Sequence, residues 1–233
     1  MNSAVIVAAG KGTRFGPDRD KLFLEIEGMP VVGHTWRLWD EHPDVAEVVI
    51  VVRSGMEPVF RDLAAQLNLR KPWRLTAGGT ERQHSVWNGL EAIASEAGLV
   101  SIHDGARPCT DGDVIRRCFL EAEQHGAAVA AQPVTDTIKQ SGDGLTVDRH
   151  LDRSKLWAVQ TPQTFRVEVI RRALQAVREK GLEVTDDTAA CEFIGQPVRL
   201  VRSVSLNPKV TVPGDLTLVE ALLRASRRLN IET

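Results

Sequence analysis

Short apolar runs alternate along this chain with amphipathic segments of helical period, and that alternation limits the possible folds more than any other feature. The runs are 4–9, 45–52, 74–77, 99–102, 127–134, 155–161 and 198–201; the helical segments are 31–41, 57–67, 85–97, 113–124, 167–179, 186–193 and 215–229. Segment 31–41, for example, places Val31, Val32, Thr35, Leu38 and Trp39 on one stripe and is followed by Pro43. Strands rich in β-branched residues without a polar face suit a sheet covered on both sides. Alternating strands and helices predict right-handed βαβ units, hence an α/β fold with a mostly parallel twisted sheet and helices on both faces. Ligands of such sheets sit beyond the carboxyl ends of the strands, so the residues that follow each run are the ones to inspect.

Three runs end in unusual chemistry. The first leads into Ala8-Ala9-Gly10-Lys11-Gly12, with Arg14 and Lys21 soon after. A Gly-rich turn after a buried strand exposes backbone N–H groups and lets phosphate oxygens approach closely. With two cations at the same mouth, a nucleoside triphosphate site is predicted; a tight turn without a ligand is the plain alternative. A dinucleotide fingerprint is disfavoured, since Phe15 takes the place of the third glycine and Pro17-Asp18-Arg19-Asp20 reads as loop, and the Gly-Lys-Ser/Thr ending of a P-loop is missing. Another run leads into Gly78-Gly79-Thr80-Glu81-Arg82, and Ser85 stands where a helix begins, able to cap it or to bind a base or ribose. A third leads into His103-Asp104-Gly105-Ala106-Arg107-Pro108. Asp104 at a strand end either forms a turn ahead of Gly105 or holds Mg²⁺ beside phosphate oxygens. Arg107 either pairs with Asp104 or binds a phosphate bidentately. Lys209, in Asn207-Pro208-Lys209-Val210-Thr211, is read as lying at a strand start.

Residues 135–154 break the alternation. They are polar, and Ser141-Gly142-Asp143-Gly144 is a turn between short alternating segments, which predicts a β-hairpin projecting from the sheet. A lone hairpin is marginal in water, so a second copy of the chain is its natural partner. The chain is therefore read as one domain over 1–233 with a dimerisation arm at about 135–154.

Composition excludes several classes. A net charge of −2 points to neither nucleic acid nor an acidic membrane. Cys109, Cys118 and Cys191 show neither metal spacing nor a disulfide framework, which fits a reducing cytoplasm. The six histidines include no His-x₃-His pair, so no structural zinc is expected. No signal peptide or membrane-length apolar run is visible.

Taken in order, the motifs 8–14, Lys21, 78–86, 103–108, 133–139, Asp152-Arg153, Thr161-Pro162-Gln163, Thr185-Asp186-Asp187 and 207–211 resemble those of the 2-C-methyl-D-erythritol 4-phosphate cytidylyltransferases, over residues 4 to about 222. The resemblance implies a Rossmann-like nucleotidyltransferase fold, CTP as co-substrate, a divalent cation such as Mg²⁺, and a homodimer whose arms embrace. It implies a triphosphate loop of Ala8, Ala9, Gly10 and Gly12, with Arg14 and Lys21 stabilising charge on the α-phosphate and the leaving pyrophosphate. Gly79, Arg82 and Ser85 would hold the cytidine end, and Asp104 the metal and nucleotide. Arg107, Thr185 and Lys209 would gather the methylerythritol phosphate together with Thr137 and Arg153 from the partner's arm. Arg153 is preferred to Arg149 because it keeps the spacing to Leu156-Trp157 and Thr161-Pro162. The chain's end at Thr233 is read as leaving no room for the cyclase domain fused in some relatives. The rival readings are a cytidylyltransferase for another polyol phosphate, such as ribitol 5-phosphate, and a non-catalytic nucleotide-binding regulatory module.

Overall fold

A computed structural model describes residues 1–10 and 20–229, so Gly12 and Arg14 lie outside the described residues. The central sheet has seven strands. Its middle is β1 (Asn2–Ala8), which pairs in parallel with β4 (Glu47–Val52) and β6 (Leu99–Asp104). The strand β5 (Trp73–Ala77) lies outside β4. On the other side β10 (Trp157–Arg166) runs antiparallel between β6 and β7 (Ala127–Pro133), and β11 (Arg199–Arg202) closes the order β11-β7-β10-β6-β1-β4-β5.

The two-residue period of β1 sorts its side chains between two cores. Ala4, Ile6 and Ala8 face α1 (Val31–Glu41), α2 (Glu57–Leu67) and α4 (Gly112–His125); Val5 faces α3 (Arg82–Ala92), α5 (Val167–Glu179) and α6 (Asp187–Phe193). Val219 of α7 (Asp215–Leu229) joins the first core. Trp36 and Trp39 on α1 are fully buried, and Trp36 meets Trp73 edge-on at 5.4 Å. Burying an indole stabilises by about 4–6 kcal/mol at ~25 cal/mol per Å². Neither indole N–H has a hydrogen-bond partner among the described residues, which offsets about 1–3 kcal/mol each. On the opposite face α3 lies so close to the sheet that a Cβ on Gly89 would stand 2.5 Å from Val5 Cγ1. Glycine there is what lets the helix, and the residues at its N-terminus, settle over the end of β1. Among the described residues no helix is long and apolar enough to cross a membrane.

Three expectations are corrected. First, α3 begins at Arg82 rather than Ser85 and stops at Ala92, because Ala94 N–H donates to the buried Glu47 carboxylate at 2.6 Å and Ile93 turns extended. Second, residues 153–155 form a 3₁₀ turn, and the strand that follows runs from Trp157 to Arg166 through a register shift between Val159 and Gln163. Third, Lys209 stands at no strand start: residues 207–211 are irregular. A ribbon of β2 (Glu25–Ile26) and β3 (Met29–Pro30) escaped the sequence reading; its turn, Glu27-Gly28, has positive φ at both residues.

The expected hairpin is present. Lys139–Gln140 (β8) pairs with Arg149–His150 (β9), and the tip folds around Asp143, whose carboxylate accepts from Leu145 N at 2.8 Å and Thr146 N at 2.7 Å. Those bonds hold the Asp143 carboxyl below its ordinary pKa. Residues 139–150 are exposed throughout, Leu145 at 93%.

Candidate active site

The carboxyl ends of β1, β4, β5 and β6 meet at a cavity of about 830 Å³. Its lining includes Ala8, Ala9, Gly10, Lys21, Gly79, Arg82, Ser85, Asp104 and Lys209, so nine of the residues singled out from sequence come together at one mouth. Arg107 stands beside Asp104. Thr185 is exposed just ahead of α6, while Thr137 and Arg153 are exposed on the hairpin; these three, and Arg107 with them, are not part of the cavity lining.

The turn after β5 is built for close approach. A Cβ on Gly78 would lie 2.3 Å from the Ala9 Cβ, so only glycine lets this turn pack against the end of β1. Gly79 N–H donates to Ser85 Oγ at 3.1 Å, and the Ser85 hydroxyl donates to the Glu81 carbonyl at 3.1 Å. Ser85 is thus no N-cap; it braces the Gly78-Gly79 turn from inside the helix. Position 81 is the N-cap, without a side-chain cap bond, which leaves the start of α3 open towards the cavity.

At the end of β6 Asp104 is ringed by cations. Lys209 Nζ lies 2.8 Å from Oδ2, Arg107 Nε 3.4 Å from Oδ2, and Arg82 Nε 3.9 Å from Oδ1. Burial raises the Asp104 pKa, but Lys209 and Arg82, then Arg107, outweigh it and hold the carboxyl at about 2. It is ionised at neutral pH. Arg82 is also anchored by Asp187, with Nη1 at 2.8 Å from Oδ2. Asp187 is fully buried, and that burial raises its pKa in spite of Arg82. Gln163 fixes this turn through two bonds, accepting from Asp187 N and donating to Asp186 Oδ2, each at 3.0 Å. Asp186 in turn caps α6 by accepting from Ala189 N at 2.9 Å.

Beneath Asp104 lies His103, also fully buried, whose pKa burial lowers to about 4. Its tautomer follows from its neighbours. The Arg107 carbonyl can only accept, so Nε2–H donates to it at 3.1 Å; Nδ1 of the neutral ring then accepts from the Thr161 hydroxyl at 3.0 Å, whose oxygen also accepts from Asp104 N–H at 3.1 Å. Sequence reasoning quoted His103, Asp187, Gln163 and Asn207 within its motifs but gave none of them a role.

The donor set suits a cation that arrives with a triphosphate. Mg²⁺ is typically bound by one or two carboxylates plus phosphate oxygens, and Asp104 supplies an ionised carboxylate at the cavity. Among the described residues no group of three or more His, Cys, Asp or Glu could hold a metal ion unaided.

Sequence and structure comparisons agree on the family. The IspD family model, described as 2-C-methyl-D-erythritol 4-phosphate cytidylyltransferase, matches residues 2–225. A protein of that name from Pelotomaculum thermopropionicum is 43% identical over 224 residues, covering 96% of this chain and 94% of the relative. Its counterpart in Geobacillus kaustophilus is 42% identical over 224 residues, covering 96% and 97%. Among solved structures, 2-C-methyl-D-erythritol 4-phosphate cytidylyltransferase from Thermus thermophilus superposes with a TM-score of 0.79 at 34% identity, covering 96% of this chain and 100% of that one. The 4-diphosphocytidyl-2C-methyl-D-erythritol synthase from Anaerococcus prevotii gives 0.84 at 27% identity, covering 96% of both. With this cavity at the strand ends and a match over nearly its whole length, the chain belongs to the 2-C-methyl-D-erythritol 4-phosphate cytidylyltransferase family.

Proposed function

We propose that this chain transfers the cytidylyl group of CTP to 2-C-methyl-D-erythritol 4-phosphate. A phosphate oxygen of the alcohol phosphate attacks the α-phosphorus; the new P–O bond forms as the bond to the β-phosphate oxygen breaks, and pyrophosphate leaves. The observation that carries this reading is the ionised Asp104 among Lys209, Arg107 and Arg82, at the mouth of a cavity formed by glycine turns. An attacking phosphate is already anionic at neutral pH, so no general base is required. The work lies in bringing two anions into line and neutralising the charge that develops.

In this reading Ala8, Ala9 and Gly10, with Gly12 beyond them, cradle the triphosphate through backbone N–H groups, and Lys21 and Arg14 take up charge on the α-phosphate and departing pyrophosphate. Gly79, Ser85 and Arg82 hold the nucleoside end. Mg²⁺ held by Asp104 and the phosphate oxygens would supply further charge neutralisation. Arg107, Thr185 and Lys209 receive the second substrate. The three unpaired cysteines, Cys109, Cys118 and Cys191, support work in a reducing cytoplasm.

The hairpin supports a homodimer. Thr137 and Arg153 stand outside the lining of their own cavity, and Arg153 is turned to the Thr135 carbonyl. A two-stranded ribbon of two residues a side, fully exposed, has little to hold it alone. The arm of one copy then reaches the cavity of the other, bringing Thr137 and Arg153 to the alcohol phosphate. Deleting residues 140–146 should shift the protein towards monomer in sedimentation velocity and raise KM for methylerythritol phosphate, with CTP affinity unchanged. An intact dimer with parental KM would remove the arm from both roles.

The test of function is pyrophosphate release with Mg²⁺ over CTP, UTP, ATP and GTP, each against methylerythritol 4-phosphate, ribitol 5-phosphate and glucose 1-phosphate. Release confined to CTP with methylerythritol 4-phosphate is the expected result. Release with ribitol 5-phosphate instead would keep the nucleotide site and change the acceptor. CTP binding without release on any acceptor would favour a regulatory module.

A further inference from the structure

Lys209 sits on a stretch that has no regular reason to be still. Residues 203–211 form no strand or helix, and Val204 and Leu206 are 76% and 55% exposed, so apolar anchoring is slight ahead of Lys209. Two residues flanking it are buried. Val210 donates its N–H to the Ala106 carbonyl at 2.9 Å. Asn207, only 3% exposed, is bonded on every side. Its Nδ2 donates to the Thr161 carbonyl at 2.9 Å and to Gln160 Oε1 at 3.4 Å, while Oδ1 accepts from the Thr110 hydroxyl at 3.0 Å. Its own carbonyl accepts from Arg107 Nη1 at 2.7 Å.

Each of these bonds ends on a segment that carries a site residue or is bonded to one. Thr110 belongs to the loop of Arg107, and Thr161 receives the Asp104 N–H through its hydroxyl. The side chain therefore joins the loop after β6, the irregular part of β10, and the segment bearing Lys209. We infer that Asn207 is a positioning residue that sets Lys209 and Arg107 against Asp104, so that both cations meet the acceptor phosphate in one geometry. An amide suits this place because it donates to one loop and accepts from another while remaining neutral among charged neighbours. The inference rests on the reading above, that Lys209 and Arg107 bind the acceptor. It predicts that loosening Asn207 harms use of the acceptor and spares the nucleotide.

Asn207→Ala should raise KM for methylerythritol 4-phosphate, with a fall in kcat, for a combined loss of about ten- to a hundredfold in kcat/KM. CTP affinity by calorimetry should stay within about twofold, as the Ala8–Gly10 and Gly78–Gly79 turns are untouched. Thr110→Val, which removes the bond to Asn207 Oδ1 together with the longer 3.4 Å contact to His103 Nε2 and keeps the side-chain shape, should cost about two- to tenfold in the same direction, and Thr110→Ser, which keeps the hydroxyl, should restore parental values. The double variant Asn207→Ala/Lys209→Ala should lose less than the product of the two single losses, because the share of Asn207's effect that acts through Lys209 is already gone while the share through Arg107 remains. Parental kinetics for Asn207→Ala and Thr110→Val beside an impaired Lys209→Ala would overturn the inference and leave the site reading standing. A parental Lys209→Ala would overturn both. Loss of CTP affinity in step with the acceptor would also overturn it, as the mark of a collapsed site. Should Asn207→Ala fail to fold, the Thr110 pair decides the matter.

Discussion

Lys21→Ala is expected to fold as the parent does and to lose about 10²–10³-fold in turnover. The side chain does little for the fold. Its 3₁₀ turn, Lys21–Phe23, is capped by Asp20, which accepts from Leu22 N at 3.1 Å, and anchored by the buried Leu22. The ammonium points elsewhere, to the cavity it lines and to the Val210 carbonyl at 2.7 Å. A cation there is most useful when charge moves onto the leaving pyrophosphate, so kcat should fall more than CTP affinity. Rapid-quench turnover and CTP calorimetry on the same preparation separate the two. Lys21→Arg should recover part of the rate, since it returns charge without the compact geometry of an ammonium. Turnover within a few fold of the parent would exclude Lys21 from the chemical step.

Asp104→Asn should be more damaging, abolishing measurable turnover by a factor of about 10³ or more. It removes the carboxylate suited to a divalent cation and leaves Lys209, Arg107 and Arg82 facing one another without their shared counter-charge. Breaking a buried pair costs about 3–5 kcal/mol. Lys209 is 37% exposed and Arg82 26%, so solvent screening reduces this to about 1–3 kcal/mol. For a chain of this size that lowers Tm by several degrees. Acid should narrow the difference. Asp104 titrates near 2 in the folded chain, below its unfolded value of 3.8, so its stabilisation is complete above about pH 4 and fades as the pH falls towards 2. The stability gap between parent and Asp104→Asn, read from denaturant melts, should therefore shrink from pH 5 to pH 3. Using the gap rather than the parent alone matters, because the raised pKa of Asp187 acts in the opposite sense as the pH falls towards 3.8. A gap that is constant with pH would show that the charge of Asp104 is not what stabilises the site.

Helices were the most legible parts of the sequence. The bounds of α1, α2 and α5 coincide with the expected ones, since an apolar stripe and local breakers both end there, and α7 starts at Asp215 as expected; α2, for instance, stops at Asn68, which takes a left-handed φ of 50°. What was misread is tertiary. Ser85 looks like a cap in one dimension, but its hydroxyl serves the turn that folds back over it. Pro162 looks like the end of a strand, yet β10 continues past it because Gln163, Thr164 and Phe165 still find partners in β6 and β7. The glycines and charges that line the cavity were visible because their chemistry is unusual after a strand. His103, Gln163, Asp187 and Asn207 stand in the same motifs, but their bracing roles were not legible, because a buried polar side chain declares its role only once its partners are in place.

The reversed direction of β10 has a further consequence for how this protein can be altered. Because β7 and β10 are antiparallel neighbours, the stretch between them never crosses the sheet; it leaves and returns at the same rim, the one that holds the cavity. The whole arm is a long hairpin loop, unlike the helical crossovers elsewhere, whose removal would uncover a core. Lengthening such a loop costs little, about 0.6 kcal/mol for each doubling. An insertion within residues 141–147 would thus leave every strand ladder of this chain intact, so that any loss of dimer or of acceptor use on inserting there reports on the arm's contacts with a second copy and not on damage to the sheet.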